Sequence, residues 1–363
     1  MQLVDLVTQY KTLKSEMDAA IQRVLDSGYF IMGPELQAFE QEVAQFLDVK
    51  HAIGCASGTD ALQIALMAHN IGPGDEVITT PFTFVATVEV IALLGAVPVY
   101  VDIDPVSYIM DPAALESAIT DKTKAILPVH LYGQTAPMEK IMEIANQYNI
   151  PVIEDTAQAI GARRNGQCAG TFGAVGCISF FPSKNLGAYG DAGMVVTQDD
   201  QLAETMRMIV KHGSRVKYQH EILGVNSRLD ALQAAILRVK LPHLETWNQQ
   251  RAAIADNYKN GITATDVILP RTLEGNTHIY HQFSIQVPDR EDFQQYLKER
   301  DIPTAVHYPI PLHKQPAFEH IGRQTDLAHS EQVADHIISL PMYPEMPESD
   351  QQVVIQTINE YFS

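Results

Sequence analysis

The first half of the chain alternates short β-branched runs with helical patterns, and this alternation limits the fold more than any other feature. The runs are HAIGCAS, DEVITT, PVYVDI, KAILPVH and PVIED, and segments with the apolar spacing of helices lie between them. Parallel strands need crossover connections, which are usually helices. The order therefore predicts an α/β domain of three layers, with a mainly parallel sheet between two layers of helices.

The second half of the chain begins with a long helical pattern that predicts the arm between two domains. This pattern runs from about Leu232 to Gly261, and Pro242 is predicted to kink or break it. We expect a large α/β domain over residues 1–240 and a smaller α+β domain over residues 241–363. In the smaller domain, YHQFSIQV, REDFQQYLKERD and PTAVHY predict strand, helix and strand, and SEQVADHIISL and DQQVVIQTINEYF predict two more helices.

Charge and composition exclude several classes of protein. The formal net charge of −19 opposes binding to nucleic acid and leaves no basic face for an anionic membrane. The most hydrophobic run, residues 85–101, is interrupted by Glu89, Gly95 and Pro98 and is too short to span a bilayer. No signal-peptide pattern opens the sequence, and no motif joins its 3 cysteines, whether for a disulfide or for a metal. We expect a soluble, cytoplasmic protein without a metal site.

Polar residues follow two of the predicted strands, where an open parallel sheet binds its ligands. CASGTDAL follows the first strand and opens a helix, so the amides of Gly58 and Thr59 suit a phosphate. An ordinary Ser or Thr N-cap explains this pattern equally well. PVIEDTAQ ends its strand in Asp155, with Gln158 three residues later. An acid at this position is also typical of a helix cap.

A lysine in SFFPSKNLGAYGDAG changes the weight of these signals. Lys184 follows the apolar run VGCISFFPS, so its strand delivers it to the same edge of the sheet as Asp155. A lysine among apolar groups loses its proton more easily, as Schiff-base chemistry requires. A phosphate site, a carboxylate for a pyridine nitrogen and an amine for an aldehyde are together what pyridoxal phosphate (PLP) needs. We therefore predict a PLP site with Lys184 and Asp155 as catalytic residues.

Five segments in this order carry a family resemblance: SGTDAL, TPFTFVAT, VIEDTAQ, SFFPSKNLGAYGDAG and GVNSRLDALQAAIL. They resemble the motifs of the DegT-type nucleotide-sugar aminotransferases, a branch of the fold-type-I PLP enzymes related to aspartate aminotransferase. The resemblance covers nearly the whole chain, including PTAVHYPIPLHKQPA and SLPMYP. It implies that an amino group passes from L-glutamate, which leaves as 2-oxoglutarate, to a keto group on a nucleotide-linked hexose.

The resemblance also implies contacts between individual residues and the cofactor. Lys184 forms the covalent bond to it, Asp155 contacts the pyridine nitrogen and Gln158 approaches the ring hydroxyl. Phe84 matches the position that stacks on the cofactor ring, although an aromatic side chain of the core is the alternative.

Further matching positions concern the phosphate and the assembly. Gly58, Thr59 and Ser179 match phosphate-binding positions. Asn226 matches a residue that reaches the phosphate from the neighbouring subunit, which implies a homodimer with shared active sites. Asn226 and Arg228 also suit the start of the following helix as caps.

The substrate-binding candidates implied by the resemblance are Arg228, His307, Tyr308 and Lys314. The segment TAVHYPIPLHKQPA is similar to enzymes that aminate C3 of the sugar. UDP-2-acetamido-3-oxo-glucuronic acid, from the assembly of O-antigen surface polysaccharide, ranks first because arginine binds carboxylates in bidentate fashion. A dTDP-3-oxo- or 4-oxo-6-deoxyhexose ranks second, since the NSRLD pattern occurs also where the sugar has no carboxylate.

Two alternatives belong to other classes, and a third belongs to the same family. A nicotinamide-dependent oxidoreductase is disfavoured because the glycines of GAYGDAG lie in mid-chain with the wrong spacing. A sugar dehydratase of the same family would carry histidine where this chain has Lys184. A regulatory protein that holds the cofactor without turnover remains open from the sequence.

Overall fold

A computed structural model describes all residues, 1–363. The α-helices are α1 Leu6–Ser27, α2 Pro34–Leu47, α3 Gly58–Ala68, α4 Ala86–Leu93, α5 Leu115–Ala118, α6 Met138–Gln147, α7 Asp200–Ile209, α8 Ala231–Lys240, α9 Leu244–Gly261, α10 Arg290–Lys298, α11 Ala328–His336 and α12 Glu348–Tyr361. None of them has both the length and the apolar content needed to cross a membrane.

The β-strands are short. They are β1 His51–Cys55, β2 Glu76–Thr79, β3 Val97–Tyr100, β4 Thr123–Ile126, β5 Ile153–Asp155, β6 Arg163–Arg164, β7 Gln167–Cys168, β8 Val175–Ser179, β9 Gly193–Thr197, β10 Ser214–Val216, β11 Gln219–His220, β12 Phe283–Gln286, β13 Arg323–Gln324 and β14 Ile337–Leu340.

One large sheet organises the molecule. Its strand order is β1-β9-β8-β5-β4-β2-β3-β13, in which two ladders are joined by parallel bridges of Ile126 to Val152 and of Val129 to Asp155. Strand β9 is antiparallel to both neighbours, and the other neighbouring pairs are parallel. The predicted α/β fold with a mainly parallel sheet is confirmed.

Helices cover both faces of this sheet, which explains why its strands read as continuous apolar runs. On one face, α3, α4 and α7 pack on strand residues such as Val77 and Val195 in one buried cluster. On the other face, α2 and α8 pack on residues such as Ile178 and Met194 in a second cluster. The ends of the strands are then the part of the sheet left open to ligands.

The long helical arm is broken where the sequence predicts. Helix α8 ends at Lys240, a 3₁₀ turn spans Leu241–His243, and α9 starts at Leu244. Pro242 lies within the turn, where its missing N–H costs no α-helical hydrogen bond.

The C-terminal part has its own core, in which α9, α10 and α12 surround the antiparallel pair of β12 and β14. Two predictions here are wrong. PTAVHY forms no strand and pairs only through an isolated bridge of Ala305 to Ser339. SEQVADHIISL is helical only in its first part, because its last residues form β14. Strand β13 returns to the large sheet beside β3, and the division at residue 240 stays a prediction.

Candidate active site

A cavity of about 470 Å³ opens where β5 and β8 end and α3 begins. Parallel strands deliver the residues at their carboxyl ends to one edge of the sheet. Of the predicted site residues, the cavity is lined by Gly58, Thr59, Phe84, Asp155, Gln158, Ser179, Lys184, His307 and Tyr308.

The start of α3 presents free backbone donors to this cavity. Ser57 caps the helix, and its Oγ accepts from the amide of Asp60 at 3.1 Å. The amides of Gly58 and Thr59 have no acceptor within the protein, as is usual for the first turn of a helix. Two unpaired N–H groups at the positive end of a helix form an anion site.

Glycine is required at two close approaches around this anion site. A Cβ on Gly58 would lie 2.6 Å from the Cβ of Ser179, so a side chain there would push β8 away from α3. A Cβ on Gly193 would lie 2.2 Å from the carbonyl oxygen of Ser57. The last glycine of GAYGDAG therefore lets β9 pass directly beside the cap of α3.

Asp155 ends β5 with its carboxylate held from two sides. Its Oδ2 accepts from Thr87 Oγ1 at 2.8 Å, and its Oδ1 accepts from the amide of Ala157 at 3.1 Å. Thr87 Oγ1 also lies 3.0 Å from Thr83 Oγ1. Burial raises the pKa of the Asp155 carboxyl, while the two hydrogen bonds and the charge of Lys184 oppose the rise.

Lys184 follows β8 in a tight loop, where its amide donates to the carbonyl of Phe181 at 2.8 Å. Its Nζ makes no hydrogen bond or ion pair within the chain, and the side chain reaches solvent only in part. Loss of hydration lowers the pKa of Lys184 to about 8, and the nearby charge of Asp155 limits the fall. The lysine of this cavity therefore releases its proton more readily than an exposed one.

Gln158 and two aromatic rings form one wall. Gln158 Oε1 accepts from the amide of Tyr132 at 2.8 Å, and its Nε2 donates to Tyr308 Oη at 3.2 Å. The ring of Phe84 lies 6.1 Å from that of Tyr308 and is 52 % exposed. An aromatic side chain so open does not belong to the core, which argues against the alternative role considered for Phe84.

His307 lies on the wall beside Tyr308. Its Nδ1 lies 2.9 Å from Ser339 Oγ, which fixes the ring. Burial, helped by the charge of Lys184, lowers the pKa of His307. The ring is therefore a neutral polar group at ordinary pH.

Three predicted residues lie outside the cavity. Asn226 is exposed and bridges to Lys211 through its backbone. Arg228 is partly exposed and has no ion-pair partner within the chain. Lys314 pairs with Glu331, with 2.6 Å between Nζ and Oε2. The roles assigned to these three residues stay predictions.

The cavity also contains polar residues that the sequence interpretation missed, among them Thr83, His281 and Gln282. YHQFSIQV predicts only a strand, yet β12 begins at Phe283 and leaves the histidine and glutamine in front of it. No spacing signal joins residues 281–282 to the motifs of the large sheet. Their position depends on how the C-terminal core docks.

Comparison with known proteins gives several relatives that match nearly end to end. The chain is 50 % identical to the "pleiotropic regulatory protein" of Geobacillus stearothermophilus, covering 99 % of this chain and 98 % of the relative. It is 49 % identical to the UDP-N-acetyl-3-dehydro-alpha-D-glucosamine 3-aminotransferase of Acidithiobacillus ferrooxidans, covering 95 % and 94 %. It is also 49 % identical to the UDP-2-acetamido-2-deoxy-3-oxo-D-glucuronate aminotransferase of Pseudomonas aeruginosa, covering 94 % and 95 %.

Solved structures agree with these relatives. DesV of S. venezuelae superposes with a TM-score of 0.97 at 42 % identity, covering 100 % of this chain and 98 % of the other. NtdA of Bacillus subtilis, solved with the bound cofactor PMP, the pyridoxamine form of PLP, superposes with a TM-score of 0.91 at 34 % identity, covering 99 % and 83 %. The family model of the DegT/DnrJ/EryC1/StrS aminotransferases matches residues 11–359. With the cavity, the fold and these matches in agreement, the chain belongs to the DegT/DnrJ/EryC1/StrS aminotransferase family.

Proposed function

We propose that this protein is a PLP-dependent aminotransferase that moves the amino group of L-glutamate to a keto group on a nucleotide-linked sugar. One observation carries the proposal. A lysine of lowered pKa, a buried carboxylate and two unpaired helix amides line a single cavity at the strand ends. This combination supplies the amine, the acid and the anion site that the cofactor requires.

The residues of the cavity fit this cofactor. The free amides of Gly58 and Thr59, with the hydroxyl of Ser179, would hold its phosphate. Asp155 would pair with the ring nitrogen, and Lys184 would bind the aldehyde carbon. When bound, PLP takes up and passes on the amino group and withdraws electrons from the reacting carbon.

Two further residues would orient the ring. Phe84 would cover one face of it, since this side chain is open to the cavity. The amide of Gln158 keeps one N–H for the ring hydroxyl, because only its other N–H is used by Tyr308.

Lys184 Nζ is the group that we expect to move protons. With a pKa of about 8, a fraction of this amine is neutral near neutral pH. The neutral Nζ removes a proton from the amino-bearing carbon of glutamate and, in the second half of the reaction, delivers one to the sugar carbon.

Asp155 has to stay ionised for its task, although burial favours the protonated acid. The donors Thr87 and Ala157 supply hydrogen bonds that the carboxylate accepts more strongly than the neutral acid does. A carboxylate fixed in this way keeps a partner nitrogen protonated.

For the sugar, we rank UDP-2-acetamido-3-oxo-glucuronic acid first, as a precursor of O-antigen surface polysaccharide, and a dTDP-linked keto-6-deoxyhexose second. The two relatives named for UDP-linked 3-oxo sugars are equally similar to this chain, and their sugars differ at C6. Arg228, unpaired within the chain, suits the C6 carboxylate. His307 and Tyr308 face the cavity, whereas Lys314 is already paired with Glu331.

We also infer a homodimer with shared sites. Asn226 and Arg228 lie outside the cavity of their own chain, so a phosphate or sugar contact from them would reach the site of a partner subunit. Large apolar side chains are exposed in the same molecule, with Tyr29 at 62 % and Leu223 at 89 %. An interface that covers them would be consistent with this assembly.

Adding glutamate to the PLP-loaded protein tests the proposal. We expect the cofactor absorbance to change and 2-oxoglutarate to appear, and we expect no 2-oxoglutarate with Lys184→Ala. The sugar is then identified in the reverse direction, with 2-oxoglutarate as acceptor. The amino sugars compared are UDP-2-acetamido-3-amino-glucuronic acid, its C6-hydroxymethyl analogue and a dTDP-3-amino-6-deoxyhexose.

Arg228→Lys, which keeps the positive charge, tests whether Arg228 binds the carboxylate of the sugar. It should slow turnover of the uronate much more than that of the neutral analogue, because an ammonium cannot bind a carboxylate in bidentate fashion. Equal wild-type rates on all three sugars would overturn the uronate ranking and leave the aminotransferase proposal standing.

A second candidate function is a regulatory protein that binds PLP without turnover. The name of the Geobacillus stearothermophilus relative favours it. The same glutamate experiment decides, because such a protein binds the cofactor but releases no 2-oxoglutarate.

A further inference from the structure

His281 is a buried histidine in the cavity wall to which the proposed reaction assigns no role. It precedes β12, lies with Lys184 among the lining residues and is only 6 % exposed. Its Nδ1 contacts Asn185 Oδ1 at 3.3 Å, whereas Nε2 has no partner in the protein. The Nε2 atom is not fully enclosed by the protein, so it is accessible from the cavity.

Two asparagine amides decide which nitrogen of His281 carries the proton. Asn185 Nδ2 donates to the carbonyl of Ile279 at 3.1 Å and to Asn248 Oδ1 at 2.7 Å. Asn248 in turn donates from its Nδ2 to the carbonyl of Ile160 at 3.3 Å. Backbone carbonyls only accept hydrogen bonds, so flipping either amide would place its oxygen against a carbonyl oxygen. Asn185 Oδ1 is therefore an acceptor, and His281 Nδ1 must donate to it.

The surroundings also keep the ring of His281 neutral. Burial lowers the pKa of His281 well below its ordinary value, and the charges of Lys184 and Arg251 act in the same direction. The group in contact with its Nδ1 is the neutral amide of Asn185. A neutral imidazole with its proton on Nδ1 has a lone pair on Nε2.

We propose that His281 Nε2 accepts a hydrogen bond from an O–H or N–H donor of the ligand bound beside Lys184. This inference rests on the proposed function. Two other acceptors on the wall already have partners: Asp155 accepts from Thr87 and Ala157, and Gln158 Oε1 accepts from Tyr132. When a ligand fills the cavity and excludes water, an acceptor left unpaired is costly, so a ligand that supplies the donor is bound more tightly. The donor is either a hydroxyl or amide of the sugar or the amino group of glutamate.

The tautomer is tested without turnover. In holoenzyme labelled with ¹⁵N in the histidine rings, His281→Asn identifies the resonances of residue 281. We expect a neutral ring with the proton on Nδ1 and a bare Nε2 near pH 7. A ring protonated on Nε2, or on both nitrogens, overturns the inference.

Two variants of similar polarity then test the contact. His281→Asn keeps a donor for Asn185 but has no atom at the Nε2 position, whereas His281→Gln places an amide oxygen near that position. We expect His281→Asn to slow the half-reaction of the donating ligand about tenfold and His281→Gln to recover most of that rate. Equal rates for the two variants would contradict the contact.

Separate half-reactions distinguish the two ligand sources. Glutamate is mixed with the PLP form, and UDP-2-acetamido-3-amino-glucuronic acid is mixed with the same form in single turnovers. A loss confined to the amino sugar assigns the donor to the sugar, and a loss confined to glutamate assigns it to the amino acid. If the wild type reacts with neither ligand, the proposed function fails, while the tautomer measurement still stands by itself.

Discussion

Thr87 is the side chain that most directly stabilises the charge on Asp155. Thr87 Oγ1 donates to Asp155 Oδ2 at 2.8 Å, and Thr87→Val removes this hydrogen bond. The pKa of Asp155, already raised by burial, should rise further because the carboxylate loses a stabilising hydrogen bond. We expect the acid limb of the pH profile of kcat/KM to move up by about one pH unit. Thr87→Ser, which keeps the hydroxyl, should restore the wild-type profile, and an unshifted Thr87→Val would remove this role from Thr87.

The stability of the cofactor-free protein should report the lowered pKa of Lys184. Below a pH of about 8 the ammonium is charged in both states, so the folded state carries the full cost of its lost hydration. Between a pH of about 8 and the ordinary lysine pKa of 10.5 the unfolded state binds more protons, so this cost is relieved as the pH rises.

Lys184→Met removes that cost. It should raise the free energy of unfolding by about 1–3 kcal/mol near neutral pH and by much less near pH 10. Urea unfolding of the cofactor-free wild type and variant at both pH values measures the difference. A gain that does not change with pH would mean that burial of the ammonium is not its source.

At the scale of single residues, the sequence predicts a site residue where that residue follows a strand. Asp155 and Lys184 are predicted to meet because parallel strands end at one edge, and both line the cavity. Thr87 and His281 carry no such signal. Thr87 lies in the first turn of α4 and points back to β5, and His281 reaches the cavity only through the docking of the C-terminal core.

At the scale of elements, the start of α3 offers a controlled test of the anion site. In Gly58→Ala the new Cβ would lie 2.6 Å from the Cβ of Ser179, whereas in Gly72→Ala the new Cβ has no atom within 4 Å. We expect Gly58→Ala to weaken PLP binding at least tenfold because α3 and β8 must move apart. Gly72→Ala should bind PLP like the wild type. Titration of both cofactor-free variants with PLP measures the effect, and equal affinities would place the phosphate elsewhere.

Elements were predictable where local pattern and burial agree. The strands of the large sheet are buried on both faces and appear as apolar runs, so β1 to β5 and β8 match their predictions. The helix predicted over HIISL is wrong, because this segment follows the end of α11 directly. Its two adjacent isoleucines pair with β12 and favour the strand. The strand predicted over PTAVHY is also wrong, because only Ala305 in this segment pairs with a strand.

At the scale of the whole molecule, a chain of net charge −19 has to bind a diphosphate. The resident positive groups of the cavity are local ones, namely the helix end at Gly58 and the amine of Lys184. Cations from a second subunit would add to them, and the negative charges of the rest of the chain would repel the diphosphate only weakly, because charges beyond about 8 Å are largely screened at physiological salt. Arg228, exposed in part and unpaired in its own chain, is suited to this task.

Mixed dimers test whether the second subunit completes the site. Lys184→Ala and Asn226→Ala are each expected to be inactive alone. If Asn226 acts across the interface, a dimer with one chain of each kind contains one intact site, because Lys184 from one chain meets Asn226 from the other. Half of the dimers in an equal, fully exchanged mixture are of this kind, so about a quarter of wild-type activity should return. Size-exclusion chromatography and two different affinity tags verify the exchange. No recovery in verified mixed dimers would mean that Asn226 serves its own chain, and substantial activity of Asn226→Ala alone would mean that the residue is not needed.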